Sequence, residues 1–212
     1  MEGDCRHQCL VYEGAPSRHL PAVASVLHKK LELGYRCVYL NSPPMVAGMR
    51  STLAAMGTDV LRAVAEGRLV LSDDQQHLVD GRFEIDRMIE MWEVAIHQAL
   101  ADGCTGLCAS GDMSWEFGPG RDFSKLVSYE WRIEELFERQ PGFFAICQYH
   151  ADTLPAEVMR LGLMVHPSVF INEALSCANP YYIRPETFSD HPELAPILAP
   201  GDSEGAARRK ER

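Results

Sequence analysis

The chain has 212 residues, of which 46% are hydrophobic and 24% charged, with a formal net charge of −10. That length suits one α/β core and is too short for two ordinary domains with a linker. No apolar run approaches the roughly 18 residues that span a bilayer, and no basic stripe precedes the terminal ARRKER, which argues against nucleic acid as a direct partner of the folded part.

In chain order, HQCLVYEG (7 to 14) reads as a strand that ends at Gly14 and Pro16. Leu20, Val23, Ala24, Leu27, Leu31 and Leu33 follow the helical period up to Gly34, a natural C-cap. RCVYLNS (36 to 42) is the next strand, so the opening is a strand, helix, strand crossover. Met45 to Gly67 holds a helix broken near Gly57 and a second short one with Thr58 as its N-cap. RLVLS (68 to 72) reads as a strand, and residues 80 to 103 as an amphipathic helix with Ile85, Met88, Ile89, Trp92, Ile96, Ala99 and Leu100 on one side. LCASG then makes a central strand that runs into Asp112, Met113, Ser114, Trp115 and Glu116. A helix over 122 to 139, a strand over 143 to 150, a helix over 154 to 166 and a strand over 169 to 172 complete the alternation. Near-continuous apolar strands joined by helices predict a three-layer α/β fold, a mostly parallel sheet flanked by helices on both faces. The expected domain covers 1 to 188, with 189 to 212 as a flexible tail or linker.

In an open parallel sheet, ligands bind outside the carboxyl ends of the strands, where the strand order reverses. The residues expected there are Tyr12 and Glu13, Asn41 and Ser42, Asp112 to Trp115, and Gln148, Tyr149 and His150. Together they would form one rim of hydrogen-bonding groups and aromatic surfaces, the composition of a small-molecule pocket. Polar residues also end buried strands for purely structural reasons, and each residue taken alone fits that reading.

Three chemistries compete. A strand ending in Asp112 after such an opening is the skeleton of a phosphate-loop ATPase, but the loop EGAPSRHLPAV has no Lys followed by a hydroxyl, and proline cannot donate an N–H to phosphate. His7 and Cys9 share one strand face, and Cys147 and His150 stand on another strand, so imidazole and thiolate could build a zinc, copper or haem site. The spacing is neither CxxC nor HExxH, however, and Cys147 and His150 have opposite parity, so core packing accounts for them first. Nucleophilic catalysis lacks a GxSxG around Ser110 or Ser114, and His166 before Pro167 reads as a helix-end residue that stabilises the dipole.

HQCLVYEG, RCVYLNS, the DGRFEIDRM helix start, GDMSWEFG, Tyr129-Glu130, ICQYH, His166-Pro167 and NPYYIRP, in that order over residues 5 to 188, resemble the MEDS domain. This is the sensory domain of methanogens, methylotrophs and the dichloromethane regulator. The resemblance implies a derived RecA/KaiC-like fold that has lost its phosphate loop. It also implies sensing of small organic compounds, hydrocarbon derivatives among them, as the input module of prokaryotic regulators and histidine kinases. Its motif positions fall on His7, Tyr12, Glu13, Asp112, Met113, Ser114, Trp115, Tyr129, Glu130, Gln148 and Tyr149, and the strand-end reading adds Asn41.

The expectation is therefore a non-enzymatic sensory domain without a cofactor, with Trp115, Tyr12 and Tyr149 as apolar walls and Glu13, Asp112, Glu130 and Gln148 orienting polar groups. The N-terminus lacks the basic and apolar regions of a secretory signal, and the seven cysteines, without a repeated spacing, read as reduced thiols in a cytoplasmic chain. Expected partners are a small organic ligand and a signalling kinase or regulator, with no nucleic acid and no membrane; homodimerisation stays open. The chain is either a stand-alone sensor or a piece cut after the sensory unit. Remaining alternatives are a degenerate nucleotide-binding protein, a metal or haem sensor through His7 and Cys9, and a protein-binding module without a ligand.

Overall fold

The computed structural model describes residues 6–172 and 174–191; of the expected tail over 189–212, the first residues complete a 3₁₀ helix, Pro185–Asp190, and those beyond 191 lie outside the described residues. The strands are β1 (His7–Tyr12), β2 (Arg36–Leu40), β3 (Leu69–Ser72), β4 (Leu78–Val79), β5 (Arg82–Phe83), β6 (Leu107–Asp112), β7 (Phe143–His150), β8 (Ser168–Asn172) and β9 (Leu175–Ala178). The helices are α1 (Leu20–Glu32), α2 (Pro43–Ala55), α3 (Val60–Ala65), α4 (Ile85–Ala101), α5 (Met113–Glu116), α6 (Leu126–Arg139) and α7 (Ala156–Val165).

Seven strands form one sheet in the order β3-β2-β6-β7-β1-β8-β9, parallel except for the antiparallel β8–β9 pair. The predicted three-layer α/β architecture is therefore present. Strand alternation sorts the side chains onto two faces. Leu10, Tyr12, Cys37, Tyr39, Cys108 and Ile146 pack against α1, α2 and α3. Cys9, Val38, Leu40, Ala109, Cys147 and Tyr149 pack against α4, α6 and α7. Helix α4 buries Met88, Ile89, Trp92, Ile96 and Ala99 on that second face. Its larger side chains each contribute roughly 1.5–3 kcal/mol by leaving water.

Four local expectations change. Strand β1 stops at Tyr12, and Gly14 turns the chain with φ 74°. The short helix after Gly57 is capped by Asp59, whose carboxylate accepts from the Arg62 N–H at 3.1 Å, rather than by Thr58. The helix expected from residue 80 begins at Ile85, because Asp80 and Gly81 adopt φ 50° and 75° and turn a small β4–β5 hairpin. Edge strand β9, with no apolar alternation to announce it, was not foreseen.

The connections fix where a site can form. Strands β1 and β7 are neighbours, yet β1 feeds α1 on one face and β7 feeds α7 on the other. The chain leaves these two strands in opposite directions, so their carboxyl ends are the switch point at which open α/β sheets place a ligand crevice.

Candidate functional site

At that crevice Tyr12 pairs in register with His150, and Asp112 with Gln148. On the α1 side, the Tyr12 hydroxyl donates to Asp112 Oδ2 at 3.0 Å. The other carboxylate oxygen, Oδ1, accepts from the Trp115 N–H at 3.1 Å and from the Ser114 hydroxyl. Asp112 is thus the N-cap of α5, which is how the sequence turns a buried strand into a helix within one residue. Gln148 Nε2 donates to Ser110 Oγ at 2.7 Å, and Ser110 donates to the Ile146 carbonyl at 2.9 Å.

His19 completes the crevice from the first residue before α1. Its Nε2 lies 3.2 Å from Gln148 Oε1, and its ring sits 3.8 Å from that of Tyr12, which also stacks on His150 at 4.6 Å. Burial lowers the His19 pKa despite the Gln148 hydrogen bond, so the ring is neutral. With Nε2–H donating to Gln148, Nδ1 is a buried acceptor without a protein hydrogen-bond partner. Burial, with Asp112 next to it, raises the Tyr12 pKa and keeps its hydroxyl a donor.

The loop between β1 and α1 is a short 3₁₀ turn over Pro16–Arg18, and Pro21 stands in the first turn of α1. The Gly14 N–H, which would face a phosphate, donates instead to Asp152 at 2.8 Å.

The predicted site residues do not form one pocket. Tyr12, Asn41, Asp112 and Gln148 stand on the α1 face, where Asn41 Nδ2 donates to the Tyr39 hydroxyl at 3.0 Å. His7, Tyr129, Glu130 and Tyr149 lie buried across the sheet, Met113 is buried in that second core, and Glu13 is exposed. Trp115 packs on the second face too, its ring 5.3 Å from His77. The three aromatic walls therefore do not enclose a common space, because residues at consecutive strand positions point to opposite faces. Among the low-ranked metal candidates, His7 and Cys147 do meet, with Sγ 3.8 Å from Nε2, whereas His150 lies on the opposite face.

Across the sheet lies an acid and imidazole cluster in which His7, Glu130 and His166 are buried and Glu134 is partly exposed. Helix α6 carries Glu130, Glu134 and Phe137 on the stripe that faces β1. His7 Nδ1 donates to Glu134 Oε2 at 2.7 Å, and His7 Nε2 lies 3.2 Å from Glu130 Oε2. Tyr149 donates to Glu130 Oε1 at 2.7 Å, passing beneath α7 only because residue 162 is glycine: a Cβ there would sit 2.5 Å from the Tyr149 ring. His166 Nδ1 donates to the Gly162 carbonyl at 2.7 Å, and its Nε2 lies 3.6 Å from Glu130 Oε2.

Burial opposes charge on His7, yet the hydrogen bonds to Glu130 and Glu134 outweigh it and raise its pKa to about 9. Burial wins at His166, lowering it to about 4. His166 is thus neutral and does not serve as the dipole-stabilising cation expected at a helix end. Burial alone would raise Glu130, but the charged His7 ring and the hydrogen bonds from His7 and Tyr149 hold its carboxyl below the usual range. Glu116, buried and close to Glu130 and Asp112, is pushed well above that range and carries a proton. Its Oε1 nestles against Gly111, where a Cβ would lie 1.8 Å away.

Sequence reasoning missed His19, Glu116, Glu134 and the role of His166. The available signal was Glu130 and Glu134 at i, i+4 on a helix face otherwise made of Leu126, Val127, Ile133 and Phe137.

A mostly parallel three-layer α/β domain, with prolines where a phosphate loop would offer donors and a polar crevice at its switch point, is the class that fold and site define. Residues 6–167 match the family model described as MEDS, MEthanogen/methylotroph, DcmR Sensory domain, and the chain belongs to that family. It is similar to the transcriptional repressor DcmR of Methylorubrum extorquens (strain DSM 6343 / CIP 106787 / DM4), with 24% identity over 167 residues that cover 77% of this chain and 59% of the relative. The family is described as a sensory domain, and the relative, of which the chain spans less than two thirds, as a transcriptional repressor. Among the described residues no helix is long and apolar enough to cross a membrane.

Proposed function

We infer that the chain is the input unit of a cytoplasmic transcriptional regulator or signalling protein, and that it receives a small organic molecule in the β1–β7 crevice without transforming it. The observation that carries this reading is His19 Nδ1, a buried acceptor without a protein partner beside the Tyr12 ring and Asp112. Burying such an atom unpaired costs about 1–3 kcal/mol, a cost that a ligand N–H or O–H donated to it would offset. The Tyr12 and His150 rings, stacked on each other, and the His19 ring tilted against Tyr12 supply a wall of ring faces for the ligand's carbon skeleton. The family match and the repressor relative support the regulatory setting.

The output follows from position. Asp112 joins Tyr12 of β1 to α5, so a ligand that competes for the Tyr12 hydroxyl changes how α5 is capped. Such a molecule shifts populations only by its differential affinity for the two arrangements.

The test is thermal unfolding with a panel of short alcohols, amines and halogenated methanes. Saturation at a hundredfold above Kd should stabilise by about 2.7 kcal/mol, and His19→Ala should lose the response. A panel without any stabilising member, or a response unchanged in that variant, overturns the reading.

A further inference from the structure

The buried cluster across the sheet holds one unresolved contact. Glu130 is a carboxylate, and three other donor atoms surround its Oε2: His7 Nε2 at 3.2 Å, His166 Nε2 at 3.6 Å and Cys147 Sγ at 4.0 Å. All four ligand atoms lie within 4.8 Å of one another, and all four residues are buried. A proton on His7 Nε2 satisfies one of these approaches. It leaves His166 Nε2, a lone pair, facing a carboxylate oxygen without any hydrogen-bond partner. Two buried acceptors held face to face call for a cation between them.

The atoms that do not face the centre are already engaged, as they are around metals. The Nδ1–H of His7 goes to Glu134, and that of His166 to the Gly162 carbonyl, which fixes both Nε2 atoms as the free donors. Tyr149 binds Glu130 Oε1 and leaves Oε2 for the centre. Histidines oriented through their second nitrogen by a carboxylate or a carbonyl are the usual support of a metal site.

We propose that His7, Glu130, Cys147 and His166 form a closed transition-metal site, and that its metal is zinc. Two imidazoles, a thiolate and a carboxylate are a zinc donor set. Zinc bonds of about 2.0–2.3 Å in tetrahedral array place the donors roughly 3.3–3.8 Å apart; four of the six separations, 3.2, 3.6, 3.8 and 4.0 Å, are close to that, and the set as a whole, within 4.8 Å, closes on the ion by rotation of its side chains. Binding exchanges the proton on His7 Nε2 and the thiol proton of Cys147 for one Zn²⁺. Both protons leave to solvent, so the net charge of the buried centre does not change. Four protein ligands fill the coordination sphere, which makes the site structural: it ties β1, α6, β7 and the end of α7 together.

Metal-free protein, prepared with a chelator and dialysed, is titrated with zinc by calorimetry and with cobalt by absorption. The expected result is one equivalent of each. Cobalt should give a thiolate-to-metal charge-transfer band and the intense visible bands of a four-coordinate ion. Cys147→Ser should lose the charge-transfer band, His166→Gln should weaken zinc at least tenfold, and Cys177→Ser, at an exposed thiol, should change neither. A wild-type cobalt spectrum without thiolate character overturns the proposal whether or not the variants fold. So does one zinc equivalent retained at full affinity in Cys147→Ser, which would mark adventitious binding. Tyr12→Phe, in the other cluster, should leave metal binding intact, so the ligand reading and the metal site fail independently.

Discussion

Tyr149 reaches Glu130 by passing beneath Gly162, its hydroxyl 2.7 Å from Oε1 in a place that no Cβ at residue 162 would share. One glycine thereby lets an aromatic side chain deliver a hydrogen bond to a buried acid, while its own carbonyl holds His166. Gly162→Ala should destabilise the fold by about 1–3 kcal/mol through overpacking. In a Tyr149→Leu background much of that cost should vanish. Urea unfolding of the double-mutant cycle checks it, and a coupling below about 0.5 kcal/mol would show that the two do not interact.

Glu130→Ala removes the acid that His7 and Tyr149 share in the buried core. Breaking one partner of a buried pair typically costs about 3–5 kcal/mol. Urea titration at neutral pH should show that loss, several times the effect of Glu84→Ala, whose partner Lys125 is half-exposed.

Glu116 gives a pH signature. Its folded pKa lies above its unfolded one, so its contribution is fully present below the ordinary carboxylate range and is lost as pH rises through the folded value. Glu116→Gln removes this loss, so its stability relative to wild type should grow between pH 5 and pH 9, by at most about 1.4 kcal/mol per pH unit. Thermal unfolding across that range measures it; parallel curves for the two proteins would refute a protonated Glu116.

At the crevice, Tyr12→Phe deletes one hydrogen bond to Asp112 and little else. The cost should be about 1.5–3 kcal/mol for a bond to a charged acceptor, with β1 and the sheet retained in circular dichroism. Trp115→Ala should instead loosen the segment carrying His77, whose ring packs beside the indole, while the Gln75 Nε2 bond to the main-chain carbonyl of residue 115 persists; faster amide exchange around His77 would show it.

Much of the fold was legible because its helices and strands bury different periods. The stripe from Met88 to Ala99 and the unbroken apolar run of β6 each leave one structural reading. The β4–β5 hairpin was hidden because its strands are only two residues long, and its Asp80–Gly81 turn looked like a helix start. The site was half legible. Asp112, Tyr12 and Gln148 were placed at the strand ends correctly, but their separation from Glu130 and Tyr149 depends on strand parity beyond the rim and on which face each helix covers. His166 looked like a helix terminus because nothing in a linear sequence says that α7 ends above His7.

The central claim is that the β1–β7 crevice receives the ligand, and calorimetric titration tests it most directly. The compound that most stabilises the wild type is titrated into wild type, His19→Ala and Tyr12→Phe. One saturable site in the wild type, weakened at least tenfold in both variants, is the predicted result. Equal affinity in all three proteins would contradict it.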